Sequence, residues 1–172
     1  MSLLGKKILS VTNRAKASGS KERGVFKAFN EAESIGVIYT WVDSQKEKFL
    51  QDFSRSLGTS KKVRFLCFNP DKGNTINTEN PIFTIAELSI FGQINSEQSN
   101  AFQDEHYDFL FHLDYRLQEM TKSIILNSKA HWKIGNHSSD GERIFDLMIK
   151  LNESAGLPNL AEQMLRYVKA LK

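Results

Sequence analysis

The stretch Ile35-Gly36-Val37-Ile38-Tyr39 decides the fold, because a segment of a different period comes directly behind it. A short apolar run of this kind is a strand buried on both faces, and residues 44–58 then change to a helical period. Ser44 and Glu47 have the spacing of a capping box. Phe49, Leu50, Phe53 and Leu57 form one apolar stripe, and Gly58 stands where a helix-ending glycine is expected. Val63-Arg64-Phe65-Leu66-Cys67-Phe68 is the next strand, closed by the turn residues Asn69-Pro70-Asp71-Lys72-Gly73. Strand, amphipathic helix and strand in this order make a right-handed parallel crossover.

The alternation continues outward. Residues 69–81 lack any sustained apolar period and read as a loop. Ile82-Phe83-Thr84-Ile85-Ala86 reads as a third strand, and 95–105 as a short polar helix anchored by Ala101 and Phe102. Asp108-Phe109-Leu110-Phe111-His112-Leu113 is the most continuously apolar segment, as a central strand should be. The helix after it turns Leu117, Met120, Thr121, Ile124 and Ser128 to one side. A short strand at 131–134, a polar loop to Arg143, a strand at 144–149 and a final helix at 158–171 complete the chain. About nine residues separate the last two strands, fewer than the roughly dozen that a parallel crossover takes, so an antiparallel pairing is expected there. The expected fold is α/β: a three-layer αβα, Rossmann-like domain with a mainly parallel sheet.

The chain has 172 residues, 40% of them hydrophobic and 25% charged, which suits one globular domain rather than several. Twelve Phe against three Pro rule out low-complexity and disordered classes, and the single Cys67 rules out an internal disulfide and a paired-cysteine metal site. A reducing, cytoplasmic setting is expected. Lys6 and Lys7 interrupt the first apolar stretch too early for a signal peptide, and no segment is apolar for long enough to span a bilayer. The net charge of +3 is uneven. Residues 1–24 carry six basic side chains and one acidic one, leaving 25–172 mildly acidic. They read as a basic arm that packs little against the core and makes weak polyanion contacts, to nucleic acid or a membrane surface.

In an open parallel sheet, ligands sit beyond the carboxyl ends of the strands where the strand order reverses. The loops there nominate Trp41, Asp43 and Ser44; Asn69, Asp71 and Lys72; Asp114, Tyr115 and Arg116; and Asn136 and His137. The turn Tyr39-Thr40-Trp41-Val42-Asp43 lacks the glycines that let backbone amides approach a phosphate, so no nucleotide cofactor is expected. The absence of Gly-x-Ser-x-Gly removes a hydrolase nucleophile elbow. His112 reads as a core imidazole, and His131, His137 and Asp140 are too spread for a ready zinc site, so no metal is expected. Asp146 and Cys67 read as structural.

The ligand-binding residues expected are Trp41, Asp43, Ser44, Asp114 and Arg116, converging between the first and fourth strands. Trp41 offers a stacking face, the helix start at Ser44 a positive dipole end, and Arg116 a fixed cation, for a small polar or anionic ligand. A plainer reading has Asp114 capping the next helix and Arg116 lying on the surface. A binding or interaction module fits these features best. The alternative is an enzyme, intact or degenerate, acting on a sugar or phosphorylated ligand at the same edge.

Three segments carry a resemblance: Tyr107-Asp108-Phe109-Leu110-Phe111-His112-Leu113, Asn127-Ser128-Lys129-Ala130-His131-Trp132-Lys133-Ile134-Gly135, and Phe145-Asp146-Leu147-Met148-Ile149. They resemble a family of short bacterial α/β proteins of unknown function that also begins with a basic arm, over most of residues 25–172. That family usually carries Asp where this chain has His112, and often an aromatic where Ile90 precedes Phe91-Gly92. The central segment is similar, more faintly, to the N-terminal half of heptosyltransferase-like glycosyltransferases. Both resemblances imply the fold; neither carries an activity across.

Overall fold

The computed structural model describes residues 3–17, 27–71 and 76–171. The strands are β1 (Ser34–Thr40), β2 (Lys62–Asn69), β3 (Ile82–Thr84), β4 (Phe109–His112), β5 (Trp132–Asn136) and β6 (Leu147–Ile149). The helices are α1 (Leu3–Ala17), α2 (Ser44–Ser56), α3 (Glu97–Asp104), α4 (Glu119–Asn127) and α5 (Leu157–Ala170). The strands form one sheet in the order β3-β2-β1-β4-β5-β6, and every neighbouring pair is parallel.

Helices cover both faces. Alternate residues of the central strands feed two cores: Val37, Tyr39 and Phe111 meet α2 and α5 through Leu50, Phe53, Leu160 and Met164. Ile38 and Leu110 meet α1, α3 and α4 through Leu9, Phe102, Met120 and Ile124. That double burial is why β1 and β4 are almost wholly apolar. The strands' N-terminal edges are tied by aspartates. Asp108 Oδ2 accepts the N–H groups of Glu33 (2.8 Å) and Ser34 (3.1 Å), and Asp146 Oδ2 accepts that of Lys133 (2.9 Å).

Four expectations are corrected. The N-cap of α2 is Asp43, whose backbone is extended and whose side chain accepts the Lys46 N–H at 2.8 Å; Ser44 is the first helical residue. Glu47 does not reach back to the cap. It turns inward and accepts from Tyr39 Oη (2.7 Å), Asn80 Nδ2 (2.6 Å) and Thr78 Oγ1, pinning the described part of the 69–81 loop to α2.

Strand β6 runs parallel to β5, not antiparallel. The connection is short because a 3-10 turn, Gly141–Arg143, replaces a crossover helix, and Ile144 and Phe145 behind it are buried. Gly135 makes room for this turn: a Cβ there would overlap the Phe145 ring. In α3, Phe102 is buried as expected but Ala101 is exposed; Ser99 takes the inner position instead.

Over residues 3–17 the basic arm is a docked helix. Leu9 is 2% exposed, and Asn13 Nδ2 donates to the Glu119 carbonyl (3.0 Å) and carboxylate (2.9 Å) at the start of α4. Residues 18–24 of the arm, like Lys72 and Gly73, lie outside the described residues.

Candidate functional site

The strand order reverses between β1 and β4, whose carboxyl ends are Thr40 and His112. A cavity of about 560 Å³ opens there, within the roughly 300–1,000 Å³ typical of small-molecule sites. Its floor is Asp114. Asp114 Oδ2 accepts the Thr40 N–H (2.8 Å) and the Thr40 hydroxyl (2.9 Å), while Oδ1 takes the ammonium of Lys46, in the first turn of α2. Both side chains of this ion pair are about nine-tenths buried. Asp114 therefore joins β1 to α2 and does not cap α4, whose N-cap is Gln118.

Gln118 Nε2 donates to Thr40 Oγ1 (3.2 Å) at the same floor. Val42, Phe49, Leu157 and Pro158 supply apolar walls. Tyr115 donates its hydroxyl to the Gly156 carbonyl (2.7 Å), which sets the turn into α5; Gly156 has φ +77°, a conformation that favours glycine. At the rim Arg116 is paired with Glu153 (2.7 Å) and is largely solvent-exposed.

Of the five expected residues, Asp43, Asp114 and Arg116 line this cavity and Trp41 and Ser44 do not. Trp41 is instead partly buried against the core, with its backbone N–H on the Phe68 carbonyl (2.7 Å). Lys46, Tyr115, Gln118 and Glu153 complete the polar lining together with Thr40 and Gln45. Tyr115 belongs to a nominated loop. For Lys46 the available signal is its spacing, three residues after Asp43, which puts it on the helix turn facing the strand ends. At the other nominated loops, Asn136 is a clamp: its Nδ2 donates to the Tyr115 and Leu151 carbonyls (both 3.2 Å) and its Oδ1 accepts the Leu151 N–H. Asn69 Oδ1 accepts the Asp71 N–H (3.0 Å), a local turn. His137 is exposed beside Glu142 (3.4 Å).

His112 lies directly behind the floor, 1% exposed, its Nε2 3.5 Å from Asp114 Oδ2 and its ring stacked on Phe145. That nitrogen has no hydrogen-bond partner among the described residues. Burial pushes the imidazole below the ordinary histidine range; the Asp114 carboxylate opposes the shift and the Lys46 ammonium adds to it. The folded protein therefore holds His112 neutral where the unfolded chain, titrating near 6.5, takes up a proton. Stability is expected to fall as pH drops below about 6.5, by at most about 1.4 kcal/mol per pH unit for this one group. Urea midpoints at several pH values check this. A His112→Leu variant should flatten the profile, and an unchanged slope would assign the effect elsewhere.

Cys67 is wholly buried in β2, and burial pushes its thiol up to about 12, so it stays protonated. Among the described residues no group of three or more His, Cys, Asp or Glu is placed to hold a metal ion, and no helix is long and apolar enough to cross a membrane.

The strand order and the crevice at its reversal define the class: an open, doubly wound Rossmann-like α/β domain. The chain belongs to DUF6913, a family of unknown function, whose sequence profile matches residues 4–171. No curated protein and no solved structure matches it.

Proposed function

We propose that the domain is a small-molecule binding module whose ligand sits in the β1/β4 crevice and is neutral and rich in hydroxyl groups, as a sugar or polyol is. One observation carries this reading: the crevice is lined by polar groups, but its cations are already engaged. Lys46 is held by Asp114 and Arg116 by Glu153, and with Asp43 the lining carboxylates outnumber the lining cations. A phosphate would need a cation released from its partner and would meet carboxylates. Hydroxyl groups, in contrast, find donors and acceptors in Gln118, Gln45 and Asp43, and a sugar's apolar face fits against Phe49 and Tyr115.

A thermal-shift panel of monosaccharides, polyols and nucleosides beside their phosphorylated counterparts tests this. A neutral compound at about 100 times its Kd should add about 2.7 kcal/mol of stability, and phosphorylation should not improve it. Gln118→Leu should weaken that binding by about 0.5–1.5 kcal/mol, the worth of one hydrogen bond. A response confined to phosphorylated compounds would overturn the proposed ligand class, and silence across the panel would overturn the binding role.

A further inference from the structure

Five of the seven large apolar side chains that stand exposed among the described residues belong to two adjacent segments: Leu3, Leu4 and Val11 to α1, and Ile90 and Phe91 to the neighbouring turn. Phe91 is 71% exposed and Val11 67%. The proximity of the two segments is set by two glycines. A Cβ on Gly5 would overlap the Ser89 carbonyl oxygen and lie 3.5 Å from the Ile90 Cα, and one on Gly92 would come within 2.8 Å of the Leu9 nitrogen. The 89–92 turn is thus laid along the first two turns of α1, backbone against backbone.

Helical phase sorts the rest. Gly5, Leu9 and Asn13 face inward. Leu4, Ile8, Val11 and Ala15 recur at helical spacing along the outer flank, on the side of the turn. The helix also holds Lys6, Lys7, Arg14 and Lys16 and no acidic residue. Lys6 and Lys7 are exposed and make no side-chain hydrogen bond or ion pair among the described residues. Scattered exposed apolar residues are ordinary; a cluster bordered by an unpaired cation, Lys7, one turn from Val11, with Lys6 beside it in sequence, is not.

We infer that α1 and the 89–92 turn form a docking surface for an anionic lipid bilayer. The helix lies in the interfacial plane, Phe91, Leu4 and Val11 enter the acyl boundary, Lys7 meets the headgroups and the charge of Lys6 adds to the attraction. Charge complementarity selects this occupant. A second copy of the chain would bring Lys6 and Lys7 against their own counterparts, like charge against like. Nucleic acid would pair with the lysines but leave the aliphatic stripe in water. An anionic bilayer satisfies both parts, because apolar insertion and attraction to anionic headgroups act together on an amphipathic helix. This surface is separate from the crevice, which lies at the carboxyl ends of β1 and β4.

The experiment is co-sedimentation of the full chain with vesicles of phosphatidylcholine alone and of phosphatidylcholine mixed with phosphatidylglycerol. Association is expected with the mixed vesicles at low salt, with loss at high salt, and little with the neutral ones. The pair Val11→Ser and Phe91→Ser, and separately Lys6→Glu with Lys7→Glu, should each weaken it by about tenfold or more. Circular dichroism and melting temperature should be unchanged, since all four side chains are exposed. Equal association with both vesicle types, or none, overturns the inference. So does retention on nucleic acid without vesicle binding, or a dimer in solution that Phe91→Ser dissolves.

Discussion

Replacing Asp114 by alanine is expected to destabilise the protein by about 3–5 kcal/mol, the range for removing one partner of a buried ion pair. The change strands the Lys46 ammonium in a site where only about a tenth of either side chain reaches solvent, and it takes an acceptor from both the Thr40 N–H and the Thr40 hydroxyl. Urea unfolding measures the loss directly. Removing both charges, with Lys46→Met added to Asp114→Leu, should recover much of it, because neither apolar side chain carries a desolvation penalty; the Thr40 N–H still lacks its acceptor, so recovery is partial. A single-variant loss below about 1 kcal/mol would show that Lys46 swings out to water once the carboxylate is gone.

The second large effect is expected in α1. Leu9→Ala should cost about 2–5 kcal/mol, as for any leucine wholly buried in a packed core. Leu9 shares its core with Ile38, Leu110 and Ile124, so the cavity left behind would open onto β1 and β4. Leu3→Ala, at a side chain 78% exposed on the same helix, should stay within about 0.5 kcal/mol. Chemical denaturation of the two variants side by side gives the answer. If Leu9→Ala were as mild as Leu3→Ala, the helix would be an arm in fact and the core would close without it.

The contrast within α1 shows what a sequence displays and what it hides. The strands 34–40 and 109–112 are legible because burial on both faces writes a nearly continuous apolar run, and 62–69 because its second half, Leu66 to Phe68, is buried in the same way. α1 is not, because its inward stripe is Gly5, Leu9 and Asn13, with one large apolar residue among three. Gly5 is small so that the 89–92 turn can approach, and Asn13 is polar so that it can bond Glu119; neither registers in an apolar period. The direction of β6 is hidden for a related reason. Its crossover is a 3-10 turn with Phe145 filling the space over Gly135, and loop length alone does not reveal so compact a connection.

At the crevice, topology is the better guide. Asp114 and Arg116 are nominated by their place after β4, and Asp43 by its place after β1, and all three line the cavity. Lys46 escapes because Ser44 and Glu47 imitate a capping box, which draws the helix start one residue late and hides the true cap, Asp43, from which the position of Lys46 follows. Trp41 departs from its expected role because its backbone pairs with Phe68 and its ring packs against the core.

The placement of Asp114 also bears on how the chain folds. Ile35 pairs both with Val63, its near neighbour across the first crossover, and with Phe109, much farther along the chain. The first strand–helix–strand unit contains Thr40 and Lys46 but not the carboxylate that answers them. Until β4 arrives, that unit carries an ammonium and a backbone N–H with no internal partner, so it gains little by closing early. Asp114 thus adds to the β1–β4 ladder and the shared cores in tying the two halves together, and the amides of β1 and β4 should exchange with solvent at the same free energy in native-state hydrogen exchange.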